Sequence, residues 1–413
     1  MNTHHRKHKW QGNSLVSLKD LHRKNIAAGI VAGIFVITGP TALILEAASN
    51  WNFSVTETVL WVFAVYTFGG LFGILLPLYY RIPITGGHTL TGVAFLSTAA
   101  PLFTYHELIG AYIISGILML LIGVSGFFSK LIRLIPREVL SAMLAGMITT
   151  YMIDFIISIN QLALIGLVSL LAFFIFSKWK INIPPVIAAI TVGFIVLLLT
   201  YPIDGAGSSL GLVIPQPHLP EFNALSLLSI SIPLVLLILS NDTAVALGAL
   251  NQNKYKVPVN SILTSSGFFS IVTSFFGGQS ANIAGMATAI CSDHEAGPKE
   301  KRYMGAVVAG ILLLLFGLFS WKLVPLILSL PTAFISIIVG FSLLGVFGNS
   351  LHQSFSTQSL KLSTTFAFII ALSNITIASI SAPVWALLIG TLIARYIENE
   401  KTYQTEKKDK KTA

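Results

Sequence analysis

The sequence predicts an all-α polytopic membrane protein of fourteen transmembrane segments, arranged as a 7+7 inverted repeat with half-helices at segments three and ten. Three observations carry that prediction. Of 413 residues, 54% are hydrophobic and only 10% are charged, with a mean hydropathy of +0.81; a soluble domain needs roughly 25% charged residues to keep its surface wet. The apolar residues gather into long runs separated by short polar pieces. A series of glycine, proline and polar landmarks also recurs in the same chain order in the second half.

This composition excludes a soluble enzyme, a secreted disulfide scaffold and a disordered regulator. The single cysteine, Cys291, allows no internal disulfide. The net charge of +9 does not point to nucleic acid, because the basic residues lie between apolar runs and cluster at the termini, at Arg6, Lys7 and Lys9 and from Lys407 to Lys411. Such clusters orient a membrane protein and attract anionic lipid.

Residues 1–24 read as a cytoplasmic N-tail. Its histidines, His4, His5, His8 and His22, fit a solvated basic tail better than a metal site. No cleavable leader is expected, since the first apolar run exceeds the roughly 7–15 residues of a signal h-region. Each span needs about 20 apolar residues. The segments fall at approximately 25–49, 57–80, 84–98, 107–129, 136–157, 160–177, 183–201, 226–250, 258–276, 279–292, 303–323, 327–348, 363–380 and 382–397. The third and tenth are too short to cross as complete helices. Residues 202–225, rich in Pro and Gly, read as an external connector, and 398–413 as a cytoplasmic C-tail.

Charge tests the span count. With the N-terminus cytoplasmic and one crossing per segment, 24 of the 25 Lys and Arg residues fall on the cytoplasmic side, Arg137 among them, and only Lys322 falls outside. Cytoplasmic loops retain positive charge in this way. A wrong count would scramble the pattern.

The landmarks then pair the halves. Gly110, Gly116 and Gly123 answer Gly305, Gly310 and Gly317; Pro136 and Gly146 answer Pro331 and Gly340; Pro185 and Gly193 answer Pro383 and Gly390. Thr38-Gly39-Pro40 answers Ser240-Asn241-Asp242, and Gly86-Gly87 answers Gly277-Gly278. Seven segments per copy is odd, so the second copy enters from the opposite face. Inverted repeats of this kind are a transporter design.

Irregular backbone at membrane depth is tolerated only around a cavity inside protein. Two half-helices entering from opposite faces aim their N-termini at one point, where free N–H groups and dipole ends favour an anion. The competing reading is that the Gly-Gly pairs only allow close helix packing. Asp242 is the leading proton-coupling candidate, because ionisable groups inside spans are functional by default. Holding its charge at that depth costs roughly 2.5–3.5 kcal/mol, enough for a proton to be loaded and released in each cycle. His88, whose side chain titrates near pH 6.5 when unperturbed, is a second proton candidate and a substrate contact. Thr38, Thr89, Thr91, Asn241, Gln279, Ser280 and Asn282 complete the substrate-binding candidates. No Lys or Arg is expected at mid-depth, so an anion there relies on dipoles and neutral donors. Asp293-His294-Glu295 reads as a solvated turn. No Walker loop, zinc spacing or nucleophile elbow is present, so neither an ATP-driven pump nor an enzyme is indicated, and no cofactor or metal is expected.

The stretch from Gly277 to Gly310, with Asn282, Ala289-Ile290-Cys291, Glu295, Arg302-Tyr303 and Val307-Val308-Ala309-Gly310, resembles the benzoate:proton symporter (BenE-type) family. The likeness extends over nearly all segments. It implies a uracil-permease-like fold, with a core domain formed by 25–130 and 226–325 (segments 1–4 and 8–11) and a gate domain formed by 131–201 and 326–397 (segments 5–7 and 12–14). It also implies uptake of an aromatic carboxylate with a proton. The site departs from the family pattern in places: His88-Thr89-Leu90-Thr91-Gly92 stands where that family reads Trp-Ser-Thr-Pro-Gly, and Ser240-Asn241-Asp242 where it reads Ser-Gln-Asn.

The expectation is therefore a secondary active transporter in the plasma or inner membrane, moving a small, benzoate-like organic anion with a proton by alternating access. A nucleobase or neutral-solute permease on the same fold and a passive anion channel remain the alternatives. The expected partners are the organic anion, H+ and the bilayer, not nucleic acid; monomer and homodimer both stay open.

Overall fold

The computed structural model describes residues 18–99, 102–128, 135–179, 183–201, 213–377 and 380–398. Most of the N-tail, the C-tail from 399 onward and the first part of the connector lie outside these residues.

Helix starts follow local chemistry. Helix α1 (Arg23–Asn50) opens on His22 and Asn25, whose side chains and backbone amides bond reciprocally. Ser54 with Glu57 does the same for α2 (Val55–Tyr80), and Thr104 with Glu107 for α4 (Tyr105–Ser125). The short α3 (Leu90–Thr98) is capped by Thr89. Prolines set the next starts, since a missing N–H costs nothing at a helix beginning: Pro136 before α5 (Arg137–Gln161) and Pro184 before α7 (Pro185–Thr200), with α6 (Ala163–Trp179) between them.

The eighth helix, α8, runs from Ala224 to Gln252 and is interrupted twice by wide π-helical turns, at Leu227–Ser231 and Ile238–Thr243. It is followed by α9 (Val259–Phe275), α10 (Gly285–Ser292), α11 (Tyr303–Leu318), α12 (Thr332–Ser354), α13 (Lys361–Leu372) and α14 (Ala382–Tyr396). Among the described residues, seven helices are long and apolar enough to cross a bilayer (α1, α2, α4, α5, α8, α11 with its preceding turn, and α12), and the shorter α6, α7, α13 and α14 are apolar too.

Three expected boundaries move. The run assigned to 303–323 ends at Leu318, and Ser320–Leu328 forms a separate short helix. The twelfth segment starts at Thr332 rather than near 327, because Pro331 can open a helix but cannot sit inside one without losing a bond. The thirteenth ends at Leu372 and turns into the hairpin β3 (Thr376–Ile377) and β4 (Ile380–Ser381).

The principal packing pairs are α2 with α11, α4 with α9, and α5 with α12 and α13. Glycines permit these approaches: a Cβ on Gly267 of α9 would stand 2.3 Å from the Leu120 nitrogen of α4, and one on Gly70 of α2 would stand 2.6 Å from the Leu314 nitrogen of α11. Small residues are how helices close up where lipid supplies no hydrophobic drive. The outward faces stay apolar, with Leu164, Leu167, Leu171 and Phe174 in a row on α6 and Leu198 and Leu199 on α7 all exposed.

Candidate functional site

The two broken segments meet. Gly86–Gly87 (β1) and Asn282–Ile283 (β2) pair as short antiparallel strands, Gly86 opposite Ile283 and Gly87 opposite Asn282, and the Ala284 amide donates to the Thr85 carbonyl at 2.8 Å. Extended backbone at this depth is satisfied by its own counterpart. From this crossing α3 and α10 run away, leaving their first turns together. Glycine is needed here: a Cβ on Gly86 would lie 2.1 Å from the Gly69 carbonyl oxygen.

The third wall is the π-helical turn Ile238–Thr243, which carries Ser240, Asn241 and Asp242. Turns of this type are frequent at functional sites, and the wider ring turns side chains and carbonyls off the helical register. Gly285, the first residue of α10, lies against this turn; a Cβ there would come to 3.0 Å from the Asp242 carbonyl oxygen.

These elements bound a cavity of about 360 Å³. Its polar wall includes His88, Thr91, Ser240, Asn241 and Asp242. Leu90 and Thr91 from the first turn of α3, and Gly285, Met286 and Ala287 from the first turn of α10, also line it. No side chain caps α10, so these first-turn N–H groups have no helical partner. Phe35, Leu236 and Leu239 form an apolar side. Opposite stand Arg137, Ser141, Asn349, Ser350 and Gln353 of α5 and α12.

The Asp242 carboxyl faces Thr89 and Asn282, while its Oδ2 is buried without a hydrogen-bond partner. His88 is buried with neither ring nitrogen partnered, its ring edge-on to Tyr66 at a centroid distance of 5.1 Å. Buried polar atoms are almost always satisfied. Both orphaned side chains border the cavity.

The remaining candidates divide in two. Thr89, Gln279, Ser280 and Asn282 are fully buried behind the cavity wall. Ser280 Oγ accepts from the Thr89 amide at 3.3 Å and donates to Asn282 Oδ1 at 2.8 Å, and Gln279 Oε1 accepts from Trp61 Nε1 at 2.6 Å. They bind the two broken segments to each other and to α2. Thr38 is not part of the cavity wall; its hydroxyl donates to the Ile34 carbonyl at 3.0 Å in its own helix.

Thr38-Gly39-Pro40, the counterpart of Ser240-Asn241-Asp242, lies inside an unbroken α1 despite its glycine and proline. Pro40 leaves the Val36 carbonyl without its helical donor, and Tyr66 Oη supplies one at 3.0 Å. Asp293-His294-Glu295 forms a capped surface turn, and no three potential metal ligands cluster among the described residues.

Sequence reasoning misses the α5 and α12 side. Asn349 and Gln353 stand four residues apart just past the expected end of the twelfth segment at 348, in a polar stretch that the structure adds to α12; Arg137 reads there only as an orientation charge.

With this geometry, the comparisons with known proteins become informative. A family model described as benzoate membrane transport protein (BenE) matches residues 19–396. The chain belongs to that family. It is accordingly a membrane transporter and not an enzyme. The inner membrane protein YdcO of Escherichia coli (strain K12) is 29% identical over 367 residues, covering 88% of this chain and 93% of the relative. A benzoate membrane transport protein of Acinetobacter baylyi is 25% identical over 370 residues, with the same coverages.

Among solved structures, the transmembrane domain of a cyanobacterial bicarbonate transporter, BicA, aligns with a TM-score of 0.59 at 17% identity, covering 91% of this chain and 98% of that one. The murine anion transporter Slc26a9 in its inward-facing state aligns with a TM-score of 0.60 at 13% identity, covering 92% and 68%. At such identities the likeness speaks for the fold alone.

Proposed function

We propose that this BenE-family chain is a proton-coupled symporter of a small organic anion, an aromatic or other carboxylate, working by alternating access on a fourteen-segment 7+7 inverted frame with both termini cytoplasmic. The observation that carries the reading is the cavity itself: two half-helix starts, that of α10 without a side-chain cap, an apolar side and an orphaned carboxyl around one space large enough for a benzoate-sized guest.

The packing supports the frame. Exchanging segment n with n+7 turns the α2–α11 contact into α9–α4, the α6–α7 contact into α13–α14, and α5–α12 into itself, and all of these helix pairs are packed together. The cavity lies between a core of α1–α4 with α8–α11 and a gate of α5–α7 with α12–α14.

The chemistry follows. First-turn amides of α3 and α10 hold the carboxylate, whose charge the dipole ends favour, while Phe35, Leu236 and Leu239 cover the ring. An ionised Asp242 would repel that anion, at several kcal/mol in a medium less polar than water. Protonation removes the repulsion, so proton and anion occupy the site together and leave together. Rocking of gate against core then exposes the site to the other face.

Proteoliposome flux tests this. Under an imposed inward proton gradient, labelled benzoate or another carboxylate of a ligand panel should accumulate above its equilibrium level. Equilibration without accumulation would make the protein a channel, and uptake confined to uracil or other neutral solutes would replace the anion by a neutral substrate.

A further inference from the structure

We infer that Arg137 and the amide-bearing face of α12 form a second anion station at the mouth of the cavity, which receives the carboxylate before the deep site and selects anions over neutral solutes. The inference deepens the transport reading above and rests on it.

Arg137 is the first residue of α5 and its side chain is exposed, yet it belongs to the same cavity wall as His88 and Asp242. No carboxylate lies within ion-pair distance of it among the described residues. Its position is electrostatically unfavourable for the helix, because a cation at a helix N-terminus opposes the dipole. On the same side of the cavity, Asn349 and Gln353 stand one helical turn apart on α12, with Ser350 between them. Ser141 Oγ donates to Gln353 Oε1 at 2.9 Å, which fixes that amide and leaves its Nε2 as a donor. A planar guanidinium with amide donors nearby is suited to a carboxylate, which it can bind through two parallel bonds.

The station answers a difficulty of the deep site. An anion approaching Asp242 meets an acid first unless something favourable precedes it. Among the described residues, Arg137 is the one Lys or Arg in the cavity wall. It raises the local anion concentration at the entrance, an effect that decays over a Debye length of about 10 Å at 0.1 M salt. A neutral solute gains nothing from it.

The test compares wild type, Arg137→Gln, Arg137→Lys and Gln353→Leu in vesicles of defined orientation, with labelled benzoate as probe. For entry from the face to which the cavity opens, Arg137→Gln should raise KM about tenfold or more with little change in maximal rate. Arg137→Lys should recover part of that loss, and Gln353→Leu should raise KM several-fold. The KM from the opposite face should stay unchanged. Initial rates at low benzoate should fall with added salt in wild type and become insensitive to it in Arg137→Gln. Wild-type transport with unchanged KM and salt response in Arg137→Gln, or in Gln353→Leu should the arginine variant fail to fold, overturns the station and leaves the transport reading standing. Absence of any carboxylate transport by wild type overturns both.

Discussion

Asp242 is legible from sequence because acids inside apolar runs are scarce and costly. Its contact with Thr89 and Asn282 is not, since they come from segments about 150 residues earlier and 40 later. Replacing it by Asn keeps the shape and removes the titration. Asp242→Asn should abolish proton-driven accumulation while retaining substrate exchange or binding, measured in the same vesicles with and without a pH gradient. Unaltered accumulation would transfer the proton to His88 or elsewhere. The uncharged candidates separate by position. Asn282, buried and bonded to Ser280, should cost about 1–3 kcal/mol of stability as Ala, since its partners lose their bonds. Asn241, which lines the cavity, should as Ala leave the melting temperature in detergent nearly unchanged and raise KM instead.

At the scale of elements, the two half-helices are readable from their Gly-Gly starts and short apolar lengths, and several helix beginnings from Ser, Thr and Pro. The crossing of β1 with β2 and the π-helical turn are not, because neither leaves a periodicity in the sequence. Gly86 shows why glycines mark the crossing. With a Cβ placed 2.1 Å from the Gly69 carbonyl, Gly86→Ala should lose about 1–3 kcal/mol or more through overpacking and lower the melting temperature. Gly248→Ala, whose added carbon meets nothing within 4 Å, should be neutral or slightly stabilising. Equal melting of the two variants would contradict the observed approach of α2 to the third segment.

For the whole molecule, composition points to the membrane environment and the spacing of landmarks to the order of segments. How the halves nest, and that the mouth includes Arg137, depends on tertiary approach. One long-range tether is open to a pH test. The strap before α8 is fastened by the His218 amide on the Phe275 carbonyl at 2.7 Å and by the Glu221 amide on the His106 carbonyl at 3.0 Å. Burial first, and His106 second, hold the His218 imidazole below its usual 6.5, against a smaller opposing pull from Glu57. A histidine with a lowered folded pKa binds protons more readily when released, so strap docking weakens as pH falls through and below about 6.5. The protection of the 218 and 221 amides, corrected for intrinsic exchange rates, should fall over that range in wild type and stay level in His218→Gln.

The widened turn at Ile238–Thr243 amounts to one surplus amino acid threaded into an ordinary spiral. Each residue of such a spiral advances about 100° around its axis, so the surplus decides which way everything beyond it is facing. Deleting a single residue there would leave composition and hydropathy almost untouched, yet it would swing the acid out of the chamber toward a neighbour. The orientation of the acid is thus a matter of counting, and a shortened chain is a way to move one carboxyl without replacing it.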